Sequence, residues 1–173
     1  MAIIALNGCA IAVGNHNTAS FTPVNHGQYP PRVENVLVYL EGSKPDEKFI
    51  QLGLVEATGS QYATDSDLIK HLKHKALTNG ADAIINVKKQ YRQRETGVLF
   101  DELLNKDLER ESYEATVMSG TAIRFRDFEA LPDSIKAYLY TSDESVTEYI
   151  ESEQESKEAD YTAGLFLTAL LWA

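Results

Sequence analysis

Cysteine is nearly absent from this 173-residue chain, which carries only Cys9. A single thiol permits no intramolecular disulfide and no cysteine-based zinc site, so the fold must rest on packing. An excess of positive charge is also lacking: 16 Lys and Arg face 26 Asp and Glu, a formal net charge of −10. Nucleic acid is held through clustered cations, so no nucleic-acid partner is expected. The two basic stretches, Lys70 to Lys75 and Lys88 to Arg94, read as solvated faces of regular elements. No run of about 18 apolar residues occurs, so no transmembrane helix is expected. A Gly-x-Ser-x-Gly elbow, a phosphate loop ending in Lys-Ser/Thr and dinucleotide-type glycine spacing are all missing. Cys9 and His16 lie near each other in sequence, but in a breaker-rich stretch with no convergent base. The chain is therefore expected not to be an enzyme and to need no cofactor.

What is present is an ordinary hydrophobic share, 43%, enough for one compact domain with tails. The chain divides into a leader or tether over 1–32, a domain over 33–126 and a tail over 127–173.

The first residues read MAIIALNGCAIA. Leu6, Gly8 and Cys9 resemble the lipobox of bacterial lipoproteins, in which the Cys is acylated and becomes the first mature residue. Asn7 departs from the small or apolar residue usual there. Only eight residues precede Cys9 and none is basic, so a full signal peptide requires a start upstream of Met1. The alternative is an apolar strand over 1–14 with Cys9 as a buried thiol. Gly14, Asn15, Asn17, Ser20, Pro23, Gly27, Pro30 and Pro31 make the following stretch, 10–32, read as a tether or a long surface loop.

The central segment shows alternating and helical periods in turn. Val36 to Leu40 reads as a strand, ended by Gly42-Ser43-Lys44-Pro45, and Phe49 to Ala57 as a second. Leu68, Ile69, Leu72 and Ala76 form a helical stripe over 65–79, with Thr64 or Asp65 as N-cap and Asn79-Gly80 as left-handed stop. Lys70, Lys73, His74 and Lys75 are expected on or near its solvent side. A third strand starts at Ala81 and fades into polar alternation through Gln93; Asp82 and Asn86 are expected on one of its faces, hydrogen-bonding a neighbouring loop. Residues 98–111 read as a short helix or as one arm of a long hairpin. Tyr113 to Phe125 is a fourth strand, with Gly120 marking a bulge or a close backbone approach. Tyr91 and Tyr113 suggest a cross-strand pair or plain sheet packing. The expected fold is α+β: a two-layer β-β-α-β-β sandwich of one helix on a small mixed sheet, with an extra C-terminal helical segment.

Leu52-Gly53-Leu54-Val55-Glu56-Ala57, the helix closing at Ala76 and Gly80, GADAIINV at 80–87 and GTAIRF at 120–125 together resemble the YbjQ-like domain, often labelled heavy-metal-binding. They are also similar to the domain of the sensor lipoprotein in the Rcs envelope-stress phosphorelay. The resemblance spans residues 33–126. It implies a small, self-associating α/β unit, or an outer-membrane lipoprotein that passes stress signals to partner proteins. The stress sensor's fold is held by disulfides, and this chain lacks those cysteines.

For the metal label the candidates are His71 and His74, three apart on the helix, with Asp67 one turn before His71. Both histidines are expected on the solvent side, flanked by lysines that oppose a bound cation, so no metal site is expected. In the tail, Ile135, Tyr138 and Leu139 suggest a helix after Leu131-Pro132. Residues 142–160 hold eight acids and one Lys and read as a solvated helix or disordered linker. The uncharged Tyr161 to Ala173 is too short to span a membrane. It is expected to dock on the sheet, on a second subunit or at a membrane surface. The sequence thus points to a non-catalytic envelope lipoprotein, anchored at Cys9, that senses or binds a protein partner. The alternative is a cytoplasmic homo-oligomer binding a small ligand or metal ion.

Overall fold

A computed structural model of the chain describes residues 12–13, 16–24, 27–95, 97–98, 112–144, 146–148 and 151–152. Cys9, the stretch 99–111 and the apolar tail 161–173 lie outside the described residues. The elements run β1 (Ala12–Val13), β2 (Thr18–Pro23), β3 (Leu37–Leu40), β4 (Phe49–Thr58), α1 (Asp65–Thr78), β5 (Ala83–Glu95), β6 (Gly97–Val98), β7 (Ser112–Phe125) and α2 (Asp133–Tyr140). The fold is α+β, built on one mixed five-stranded sheet of order β2-β4-β7-β5-β3. Every neighbour pair in it is antiparallel except β3–β5, which is parallel. β1 and β6 pair separately as a short antiparallel ribbon.

The β-β-α-β-β succession read from the sequence corresponds to β3, β4, α1, β5 and β7. The fifth strand is β2, which falls inside the stretch expected to be a tether or loop. It pairs with β4 from Thr18↔Thr58 to Pro23↔Gly53 and turns Ala19 and Phe21 onto the core. Asn17, just before it, is buried and accepts a hydrogen bond from Ser60 N at 2.8 Å. The packed unit therefore begins well before residue 33.

Local chemistry explains α1. Thr64 accepts from Asp67 N while Asp67 accepts from Thr64 N, a reciprocal capping box. This also occupies the Asp67 carboxylate that the sequence placed near His71. Leu68, Leu72 and Ala76 are fully buried against Leu52, Val55, Ala57, Ile84, Met118 and Ala122 of the sheet. Each larger one contributes about 1.5–3 kcal/mol by leaving water. At the other end, Gly80 adopts φ +76° and reverses the chain into β5.

On the opposite face, Val33, Ala83, Ile85, Ile123 and Phe125 pack with Phe128, Leu131 and Leu139. The chain beyond Arg126 is thus part of the core, and the sheet is covered on both faces at this end. Leu139 O accepts from Glu34 N and Asn35 N, which ties α2 to the entry of β3.

Three local expectations change. The irregularity near Gly120 lies across from it: Ile85↔Thr121 is followed by Lys88↔Ser119, so Asn86 and Val87 together face Gly120. That is a β-bulge, with Asn86 at φ +54°, and β7 itself runs unbroken. A Cβ on Gly120 would lie 2.7 Å from Ile84 Cγ2, so the close approach is real. The bulge also separates Asp82, fully buried, from Asn86, which is exposed. Tyr91 pairs with Thr116 and Tyr113 with Arg94, so the two tyrosines point to opposite faces.

Candidate functional site

A cavity of about 540 Å³ opens between β2 and the C-terminal end of α1. Its aromatic walls are Phe21 on β2 and Tyr29 on the following loop, and its floor is Leu52 of β4. Lys75, Thr78 and the helix cap Asn79 form the wall on α1, and Pro23, Gly27 and Gln28 complete the rim. A volume of this order suits a small molecule rather than a macromolecule.

The aromatic walls stand where they do because two glycines leave room. A Cβ on Gly53 would collide with the Phe21 ring and lie 2.6 Å from Thr22 O. A Cβ on Gly80 would collide with the Tyr29 carbonyl. Gly80, read from the sequence as a helix stop, is thus also the seat of the loop that walls the cavity.

That loop is pinned by two arginines. Arg32 donates from Nε to Asp82 Oδ1 at 3.0 Å and from Nη2 to Asp82 Oδ2 and, at 2.8 Å, to Phe125 O. Asp82 also accepts from Phe125 N at 2.8 Å, so the buried carboxylate is well satisfied. The sequence anticipated this loop-binding role for Asp82. The Arg32 guanidinium sits 4.4 Å from the Phe128 ring centroid. Arg124 donates to Pro30 O at 2.8 Å and Gly80 O at 2.9 Å, with its guanidinium 5.6 Å from the Tyr29 ring centroid. Burial and the nearby Arg32 charge lower the Arg124 pKa, and Asp82 and Tyr29 partly offset them.

The polar groups of the cavity are unevenly committed. Thr78 Oγ1 and Asn79 Nδ2 both donate to Lys75 O, at 3.1 and 2.8 Å. Ala76 O accepts from Asn79 N and Ala81 N, and Leu77 O from Gly80 N. The carbonyls at this helix end are therefore largely occupied. No carboxylate among the described residues pairs with the Lys75 ammonium.

The metal candidates sit differently from the solvent-side placement expected for them. His71 is buried and His74 half-buried. Burial, then the charges of His71 and Lys75, push the His74 pKa below its usual value. Among the described residues no group of three or more His, Cys, Asp or Glu is arranged to hold a metal ion. Lys73, also expected outside, is buried; its ammonium pairs with Asp143 and stands 3.4 Å from Tyr138 Oη.

The sequence did not single out Phe21, Gln28 or Tyr29, and it placed Lys75 only among the outer cations of the helix. The available signal was Tyr29-Pro30-Pro31, a stiff segment facing a glycine at a helix end, but nothing in the sequence brings 21–29 to 75–79.

No family model matches the sequence, and no curated protein matches it. Among solved structures the chain is similar to the crystal structure of the Francisella virulence factor FvfA. The match has 17% sequence identity and a TM-score of 0.37, and covers 62% of this chain and 98% of that one. At that TM-score the likeness carries no argument about fold or role.

Proposed function

We propose that the chain is a non-catalytic binding or sensing domain of the bacterial envelope, of the YbjQ-like kind, held to the membrane by acylation of Cys9. The observation that carries the anchoring is Leu6-Asn7-Gly8-Cys9 placed directly ahead of the packed unit. β2 starts at Thr18, so an anchored domain would sit close to the bilayer rather than at the end of a long tether. No helix of the described residues is long and apolar enough to cross a membrane, so attachment by this route would rest on the lipid.

A binding rather than a chemical role is supported by how ionisable groups are spent. Asp82 holds Arg32, Lys73 holds Asp143, Lys89 holds Asp65 and Arg92 holds Glu56. These pairs fix the loop, the tail, the helix start and the sheet surface. Such a domain would signal through a partner protein or a second copy of itself.

The test is intact mass and fractionation of the protein expressed from its native locus. The expected result is an acyl mass on Cys9 in membranes, lost together with membrane retention in Cys9→Ser. Unmodified protein in the soluble fraction would overturn the anchoring. The cavity beside Lys75 favours the second reading, a cytoplasmic homo-oligomer that binds a small ligand, and that outcome would leave it standing.

A further inference from the structure

We infer that the cavity between β2 and the end of α1 is a binding site for a small monocarboxylate with an apolar, preferably aromatic, body. The inference rests on the binding role proposed above and gives it a ligand class, but does not depend on lipid attachment. Three features of the cavity set the chemistry.

The first is charge. Lys75 brings an ammonium with no carboxylate partner among the described residues to the rim of a mixed pocket, in a chain whose net charge is −10. By contrast, the ammonium groups of Lys73 and Lys89 are taken up by Asp143 and Asp65. A carboxylate is the group that completes this one, and Gln28, which also lines the cavity, carries an amide donor. The carbonyls of the helix end would repel an anion, but the donors of Thr78, Asn79, Gly80 and Ala81 already occupy those of Lys75, Ala76 and Leu77.

The second is shape and surface. Phe21, Tyr29 and Leu52 present apolar walls and a floor for a ring or branched chain. The third is preorganisation. Gly53 and Gly80 admit the two aromatics, and Arg32 and Arg124 pin the loop that carries Tyr29. A wall held this way loses little freedom on binding, which is how a small ligand gains affinity.

The experiment is a titration of the full-length, isotope-labelled chain with 4-phenylbutyrate, followed by amide NMR shifts. The neutral congener 4-phenylbutanamide and the variants Lys75→Met and Thr78→Phe are titrated in parallel. Saturable shifts centred on Gly27, Gln28, Leu52, Thr78 and Asn79 are expected. The neutral amide, and Lys75→Met with the acid, should each bind about tenfold more weakly. Thr78→Phe should fill the cavity and abolish the shifts.

Absence of saturable shifts at millimolar probe overturns the inference. So does equal binding of acid and amide, a comparison that needs no variant to fold. Cys9→Ser leaves this titration unchanged, so failure of anchoring and failure of ligand binding are read separately.

Discussion

Arg32 and Asp82, fifty positions apart, form a two-bonded ion pair in which the carboxylate is fully buried and the guanidinium side chain is 27% exposed. The pair joins the loop ahead of β3 to the entry of β5 and, through Phe125, to the end of β7. It fixes one side of the cavity wall and one end of the sheet together. Removing the cation leaves a buried charge held by the Phe125 amide. Arg32→Met should therefore cost about 3 kcal/mol in urea unfolding. A loss below about 1 kcal/mol would show that water or a rearranged loop compensates.

Gly80 and Gly42 offer a matched comparison. Both have positive φ, +76° and +85°. Nothing stands near a Cβ on Gly42, whereas one on Gly80 meets the Tyr29 backbone. Gly42→Ala should cost about 1 kcal/mol, the strain of a left-handed residue alone. Gly80→Ala should cost clearly more, about 2–4 kcal/mol, because the Tyr29 loop must also move. Equal midpoint shifts for the two variants would mean that the loop yields freely and that the cavity wall is soft.

The parts that were legible are those whose physics is local. Leu68, Leu72 and Ala76 declare the inner face of α1, and Thr64 with Asp67 declares its start. β4, β5 and β7 carry enough alternation to be seen. β2 was hidden because its inward residues, Ala19 and Phe21, lie among Thr, Ser and Pro, and an edge strand needs only one apolar face. The burial of Lys73 was hidden because its partners, Tyr138 and Asp143, come from the far end of the described chain. The cavity was hidden for the same reason, since its two walls meet only through the sheet.

His74 should make stability pH-dependent. Burial first, then His71 and Lys75, place its folded pKa below the unfolded value of 6.5. The unfolded chain therefore binds more protons in the interval between the two values, and stability rises with pH there. The contribution is full above the unfolded pKa and is lost as pH falls through that value towards the folded one. His74→Gln should flatten this slope between pH 7.5 and 5.5, about one unit either side of the reference pKa. An NMR titration placing His74 at or above 6.5 would remove the basis for the effect.

Lys73 and Asp143 should respond asymmetrically to substitution. The Lys73 side chain is 11% exposed and that of Asp143 27%, so the ammonium is the more deeply desolvated partner. Asp143→Ala strands that ammonium with the Tyr138 hydroxyl and ring nearby, and should cost about 1–2 kcal/mol. Lys73→Met keeps the apolar stem and removes the charge, leaving Asp143 near water, and should be within about 0.5 kcal/mol of neutral. The double variant should then match Lys73→Met alone. The same ordering should appear in amide exchange: Asp143→Ala leaves an unpaired ammonium against Tyr138 of α2 and should speed exchange over 133–141, whereas Lys73→Met leaves no buried charge there and should speed it much less. If Lys73→Met proves as damaging as Asp143→Ala, the ion pair itself, rather than the stranded charge, holds the tail.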